Sequence, residues 1–401
     1  PMRTDVTRIA DLIAARYFDA DVGAEVAERL RTAAATGDFD GSVDRHDLAA
    51  RITAIIAPYD GHLRVGWQEP RPSDPQPESG PERMSERVRA ERRNHGFRRV
   101  ELLPGNLGLI ELSEFADLDA TSDPDAPARR VADAALTLVQ RADAVIFDLR
   151  LNGGGGTMAD YLVSHFLPEQ VLGEQRSRTA RREIRTVGRL GGRRRLDVPL
   201  YVLTSAQTAS AAEFFTATLQ VRGRATVVGE RTAGAANLGD DFDAGGGLYV
   251  FVPMDTPVDR VSGGNWEGVG IEPDLPTGSG QALTVARAAA LRQILTAELP
   301  PAQARDASWA LEALTADHRP DPAAAAEFAG DYGNRTVLVD RGGLSLQRAD
   351  WPPRRLLSVG PELFAVADDP SRRVGFERRD GRVTAMIETT STGAETRIRR
   401  R

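Results

Sequence analysis

The chain of 401 residues contains no cysteine. Disulfides, thiolate metal sites and a cysteine nucleophile are therefore excluded, and the redox compartment stays undetermined. Lysine is absent as well, so all 51 basic residues are arginine. A phosphate-binding P-loop, which needs a Gly-Lys-Ser/Thr ending, is excluded with it. No apolar run approaches the length of a membrane span, and the opening "PMRTDVTRIADLIAARYF" is charged and amphipathic, without the apolar h-region of a signal peptide. The expectation is a cytoplasmic protein with no membrane partner. What is present is ordinary for a globular chain: 41% hydrophobic and 27% charged residues, enough for a sizeable core. The formal charge is −7, and the basic runs "GGRRRL" and "RIRRR" read as solvated surface, so no nucleic-acid partner is expected.

Val6, Ile9, Ile13 and Tyr17 recur at helical spacing, "DVGAEVAERLRTAAATG" continues in the same manner, and "DRHDLAARITAIIAPY" reads as another amphipathic helix. Residues 1–66 are thus expected as an N-terminal helical bundle. Residues 67–96, rich in Pro, Glu, Arg and Ser with scarcely any apolar residue, are expected as a polar linker or flap. Over 97–300 strand and helix patterns take turns, from "NLGLIEL" through "AVIFDLR", "TMADYLVSHFL", "PLYVLT" and "SAAEFFTATLQV" to "ATVVGE". Such alternation indicates an α/β core with parallel strands. Within it "GGGLYVFVP" suggests an added strand, and "ALTVARAAALRQILTAEL" closes the core with a helix. Residues 301–324 read as a linker leading out. Residues 325–401 hold short alternating runs separated by "RGG", "GPE" and "RDG", the pattern of a small antiparallel β domain built on hairpins.

Three stretches could carry chemistry. In "TSAQTASAAEFFTATL", Ser210 and Glu213 have the S-x-x-E spacing of a capping box. A hydroxyl at the mouth of a helix also sits among free amides and the positive end of the dipole, where an oxyanion can be held. The spacing leaves both readings open. In "VIFDLRLNGGGGTMADYL" a buried strand runs into four glycines and then a helix, a turn that lets backbone amides approach a ligand closely, or one that is merely a flexible loop. An oxyanion hole shared between this turn and the amide after Ser210 would set donors from two neighbouring strand ends around one carbonyl. A serine nucleophile needs a base, and the histidines are His46, His62, His95, His165 and His318. The other four look unpromising as a base, and His62, held on a turn between "PYDG" and "LRVGW", is the remaining candidate, although its position alone reads as structural. In "SGGNWEGVGIEPDLP", Glu267 stands beside Trp266, where a carboxylate could be desolvated and orient an imidazole, or could satisfy loop amides.

Taken in order, "YDGH", "IELSEF", "DLRLNGGG", "TSAQTASAAE", "VVGERTAG" and "WEGVGIEPDLP" resemble the S41 family of serine peptidases, from about Tyr59 to Pro276. The resemblance implies an α/β core of crotonase/Clp-like shape and assigns the nucleophile to Ser210. One branch, the C-terminal processing peptidases, pairs that serine with a lysine, where this chain has Ala235 and Ala236. The branch of the tricorn core instead uses the histidine of a D-x-H turn and a glutamate near G-x-G-x-x-P-D, which map onto His62 and Glu267. Gly61 stands where the tricorn core has a relay serine. The resemblance further implies an oxyanion hole from Gly153, Gly154, Gly155 and Ala211, no metal or organic cofactor, and a peptide or small-molecule substrate; a homo-oligomer stays open. Two other readings remain: acyl transfer or elimination on a non-peptide small molecule, and hydrophobic-ligand binding without catalysis, as in the retinoid-binding relatives.

Overall fold

The computed structural model describes residues 2–69, 86–117, 123, 125–316, 322–340 and 343–401. It opens with helices α1 (Met2–Arg16), α2 (Ala20–Thr36) and α3 (Arg45–Ile56). Asp19 and Asp44 cap α2 and α3 by accepting hydrogen bonds from first-turn amides. After β1 (Arg64–Trp67) and α4 (Glu86–Arg92) come β2 (Phe97–Leu103), β3 (Leu107–Leu112), α5 (Pro127–Leu138), β4 (Ala144–Asp148) and α6 (Met158–Ser164). Next are β5 (Val171–Ser177), β6 (Arg181–Arg185), β7 (Leu200–Thr204), α7 (Ala211–Gln220), β8 (Thr226–Gly229), β9 (Leu238–Gly245) and β10 (Leu248–Asp259). The core ends with β11 (Leu275–Pro276), α8 (Ala282–Ile294) and α9 (Pro301–Thr315).

The central sheet has the order β11-β8-β7-β4-β3-β2. All but the antiparallel edge strand β2 run parallel. Every residue of β4 and β7 is buried, which explains their continuous apolar runs: both sheet faces are covered. Ala132, Leu162 and Phe215 of α5, α6 and α7 pack on one face. Ala286 and Ala310 of α8 and α9 pack on the other. A second, antiparallel sheet has the order β1-β10-β5-β6, with β9 also paired to β10.

The expected architecture of N-terminal helices, α/β core and C-terminal antiparallel β unit is the one the chain forms, with three differences. The N-terminal helices do not close a core of their own: Val6, Ile13, Leu30 and Ile52 share one apolar cluster with Leu248, Val250 and Val252 of β10. Residues 301–315, read as linker, are helix α9, which buries Ala307, Ala310 and Ala313. The hairpin β5–β6 was not expected, because "GEQRSRTARREIR" is too polar on both faces to show a period of two. The expected flap at 67–96 and linker at 301–324 fall partly on residues 70–85 and 317–321, outside the described residues.

α10 (Pro322–Phe328) leads into eight strands: β12 (Gly330–Tyr332), β13 (Arg335–Asp340), β14 (Gly343–Arg348), β15 (Arg354–Gly360), β16 (Leu363–Val366), β17 (Asp369–Arg379), β18 (Arg382–Thr390) and β19 (Glu395–Arg399). They pair antiparallel in sequence order, and a bridge from Tyr332 to Arg400 joins the first to the last, closing a barrel. The barrel docks on α9, where Arg373 meets Glu312 at 2.6 Å and the Arg305 Nε donates to the Ser391 carbonyl at 2.8 Å. Among the described residues, no helix is long and apolar enough to cross a membrane.

Candidate active site

Ser210 occupies the turn between the buried strand β7 and α7. Its φ of 53° and ψ of −120° lie in a region that a residue with a side chain rarely adopts, and such a backbone costs of order 1–3 kcal/mol. Fixed contacts impose it. The Thr208 hydroxyl donates to the Leu149 carbonyl at 2.9 Å, and the Ala209 amide donates to the Asn152 carbonyl at 3.1 Å. Both hold the loop after β7 to the loop after β4. The Ser210 amide donates to Glu213 Oε2 at 2.9 Å, the glutamate half of the expected capping box.

Glu213 does more than cap. It is wholly buried, and its Oε1 accepts from the Thr232 hydroxyl at 2.5 Å and the Gly234 amide at 2.7 Å. Its Oε2 accepts from the Ala235 amide at 2.7 Å besides that of Ser210. The next two amides of the same strap, Ala236 and Asn237, donate to Glu267 Oε2 at 2.8 and 2.9 Å. Glu267 Oε1 lies 2.6 Å from His62 Nδ1. Residues 234–237 thus tie Ser210 on one side to the His62–Glu267 pair on the other. Glu267 reaches the histidine directly, with no residue interposed, and a Cβ at Gly61 would meet nothing within 4 Å.

A second carboxylate, which sequence reasoning missed, completes the group. Asp60 is buried; its Oδ1 accepts the His62 amide at 2.8 Å and lies 3.6 Å from His62 Nδ1. Its Oδ2 accepts from the Tyr17 hydroxyl at 3.0 Å and from Asn237 Nδ2 at 2.9 Å. Burial alone would raise the Asp60 carboxyl, but the hydrogen bonds from His62, Asn237 and Tyr17 outweigh it and hold it below its ordinary value. Asp60 and then Glu267 stabilise the imidazolium against desolvation, pushing His62 up to about 9. Burial, reinforced by Asp60, drives the Tyr17 phenol well above its usual range. Asp60, His62 and Glu267 also offer ligand atoms within 4.8 Å of one another, a metal-compatible spacing. Every carboxylate oxygen of the three, however, already accepts from a protein donor. Tyr17→Phe removes one donor to a buried carboxylate and is expected to cost about 1.5–3 kcal/mol of stability, read as a lower denaturant midpoint with unchanged m-value.

The glycine turn after β4 comes against the serine. A Cβ at Gly154 would sit 2.7 Å from Ser210 Cβ and 3.1 Å from the Ala211 amide nitrogen. Of the expected oxyanion donors, the Gly154 amide is already engaged, donating to Asn152 Oδ1 at 2.9 Å. Gly153 and Gly155 are exposed. Among the described residues, neither of their amides nor that of Ala211 has a hydrogen-bond partner. Asn152, wholly buried, also donates through Nδ2 to the Leu112 carbonyl at 3.2 Å, so its side chain fixes the turn and the end of β3 while its backbone carbonyl holds the serine loop. Beside this group a cleft of about 390 Å³ opens at the carboxyl ends of β3, β4, β7 and β8, bordered by Ser113, Leu151, Gln207 and Glu230. Ser210, His62 and Glu267 do not line it.

The other histidines lie elsewhere. His46 packs its ring against Trp67, and His95 sits in a short 3-10 turn. Burial pushes the His165 imidazole down to about 4 at the end of α6. His318 lies outside the described residues.

Residues 106–277 match the model of peptidase family S41. The carboxyl-terminal-processing protease of Synechocystis sp. (strain ATCC 27184 / PCC 6803 / Kazusa) is 36% identical over 123 residues, covering 29% of this chain and 26% of that protein. The carboxyl-terminal-processing protease of Picosynechococcus sp. (strain ATCC 27264 / PCC 7002 / PR-6) is 33% identical over 131 residues, covering 30% of this chain and 29% of that protein. The match thus spans little more than a quarter of either relative's length. Among solved structures, the photosystem II D1 C-terminal processing protease superposes with a TM-score of 0.42 at 16% identity, over 69% of this chain and 93% of that one. The two sequence relatives bear the name of the processing proteases, so they lend nothing to the tricorn-like branch expected above. At the level of the family the sequence match is explicit: it is to peptidase family S41, and it runs over residues 106–277 of this chain.

Proposed function

We propose that the chain is a serine peptidase that cleaves short or unstructured peptides through an acyl-enzyme, with a histidine and a glutamate in place of the processing branch's lysine. The contact that carries this reading is His62 Nδ1 to Glu267 Oε1 at 2.6 Å, made across 205 residues of sequence in a chain without lysine. With Nδ1 held, His62 Nε2 is the nitrogen left to take the Ser210 proton as the hydroxyl oxygen attacks the substrate carbonyl. The tetrahedral oxyanion is then received by the amide of Ala211 with that of Gly153 or Gly155, which lack partners among the described residues. His62 returns the proton to the leaving amine, and water, activated by the same nitrogen, hydrolyses the ester on Ser210. Glu267 steadies the imidazolium throughout. The strained backbone of Ser210 supports the same reading, since strain of this kind concentrates where geometry serves chemistry.

Incubation with a fluorophosphonate followed by peptide mapping tests the nucleophile, and a library of unstructured peptides tests the substrate. The expected result is one adduct, on Ser210, and cleavage of a subset of the library. An unlabelled protein, or an adduct elsewhere, would sink the nucleophile. Labelling on Ser210 with the library uncut would move the reading to a non-peptide acyl substrate.

A further inference from the structure

The C-terminal barrel has an interior whose character changes along its length. At its middle the inward stripe is apolar: Val337 on β13, Leu344 and Leu346 on β14, Leu356 on β15, Phe376 and Val374 on β17, and Met386 on β18 belong to one cluster. Residues two apart on a strand face the same side. Continuing each stripe toward one mouth replaces these with Arg335, Arg348, Arg354, Arg372 and, on β18, Glu388. The register sets Arg335 directly opposite Arg348 on neighbouring strands, a like-charge pairing that destabilises a sheet unless something anionic lies between. The same residues, with Arg373 and Trp351, line a cavity of about 250 Å³.

The internal acids do not fill it. Glu388 takes Arg335 at 2.7 and 3.0 Å. Asp368, on the turn before β17, and Asp369, the first residue of β17, meet Arg354 and Arg372 at 2.9 and 3.0 Å. Arg373, 6% exposed, reaches Glu312 on α9 and lies over Trp309 at 4.4 Å, while its buried Nε has no partner. Among the described residues Arg348 makes no ion pair; its guanidinium stands 5.6 Å from the centroid of the exposed Trp351 ring. Of the five guanidiniums in the cavity lining, Arg335, Arg354, Arg372 and Arg373 are thus each met by a carboxylate, and among the described residues Arg348 is the one left without, above an apolar floor of Leu346, Val366 and Val374.

We propose that this mouth is a binding site for a carboxylate joined to a short apolar body. The guanidinium fork matches a carboxylate in the plane and bidentately. The indole of Trp351 and the aliphatic floor take the apolar part, as barrel mouths commonly do. Such a carboxylate has two sources, a free acyl acid and the C-terminus of a peptide, and the cavity size suits a chain end or a short acyl group rather than a folded partner. The site is independent of Ser210 and its chemistry.

The test uses the full chain carrying Ser210→Ala, so that no peptide is consumed, and titration calorimetry with decanoate, decanol, a tripeptide ending in leucine and its C-terminal amide. Expected is saturable one-to-one binding of an acid with at least tenfold weaker binding of its neutral counterpart: decanoate over decanol identifies an acyl acid, peptide acid over amide a chain end. Arg348→Gln, on an exposed side chain, is expected to weaken the acid at least tenfold without altering the circular dichroism spectrum, and Arg348→Lys to recover part of the loss. Equal binding of acid and neutral partner, no binding of either acid, or affinity untouched by Arg348→Gln would overturn the site.

Discussion

Ser210→Ala is expected to lower kcat by about 10⁶-fold, the scale on which removing a triad serine acts, while leaving the fold intact. The side chain lost is one hydroxyl, and the contacts that shape its turn do not use it: the Glu213 bond comes from the Ser210 amide, and the Thr208 and Asn152 bonds lie outside the residue. Alanine inherits the same φ of 53°, so strain is unchanged and the denaturant midpoint should move little. Residual turnover of about 10³–10⁴ over water is expected to persist, because the substitution leaves the proposed oxyanion donors, the amides of Ala211 and the glycine turn, in place. Kinetic and equilibrium measurements on one preparation separate the outcomes. A loss of only tenfold would mean that the hydroxyl is not the nucleophile, and a collapse of stability would mean that the turn, rather than the chemistry, had been damaged.

What was legible in the sequence was what is local. A strand, a turn of glycines or a cap, and a helix leave signals within about fifteen residues, so the parallel core and the places of Ser210 and Gly153 to Gly155 could be read directly. The C-terminal antiparallel β unit, too, announced itself by regular turns, though its closure into a barrel by the Tyr332–Arg400 bridge did not. The partnership of His62 with Glu267 spans 205 residues, and no periodicity encodes that; only the family resemblance in the order of motifs brought the two together. Asp60 gives no signal of its own, because aspartate before glycine reads as a turn former. Tyr17 continues a core stripe, its hydroxyl being polar detail on an apolar face. Asn152 is hidden in a run valued for its glycines. Helix α9 escapes for a different reason: it buries alanines, whose small faces leave a weak hydrophobic period beside the Pro300–Pro301 pair that reads as a break. For Asp60, Tyr17 and Asn152 the missing information is the identity of a distant partner, which only the folded chain supplies.

The second large effect concerns pH. In the proposed reaction His62 must be neutral to accept the Ser210 proton, yet Asp60 and Glu267 hold its imidazolium up to about 9. The profile of kcat/KM is therefore expected to rise with pH, with its midpoint near 9, rather than near the ordinary histidine value of about 6.5. Glu267→Gln removes the contact at 2.6 Å; the midpoint should fall toward 6.5, and the plateau should drop by up to about 10⁴-fold, since an imidazole without its orienting carboxylate takes the wrong tautomer. Asp60→Asn should also bring the midpoint down, but with a much smaller loss of plateau, because Glu267 still holds Nδ1. The two carboxylates are thus separable: near neutral pH the Asp60 variant has the larger fraction of neutral histidine, so its activity relative to the parent improves as pH falls from 9 toward 7. Linkage gives an independent reading. A histidine raised in the folded state adds stability that is fully present below the unfolded value of about 6.5 and is lost as pH rises through 9. Urea midpoints of the parent should accordingly decline between those values, and the decline should flatten in both variants. A parent profile centred near 6.5, or one that neither substitution moves, would show that the carboxylates do not act on His62.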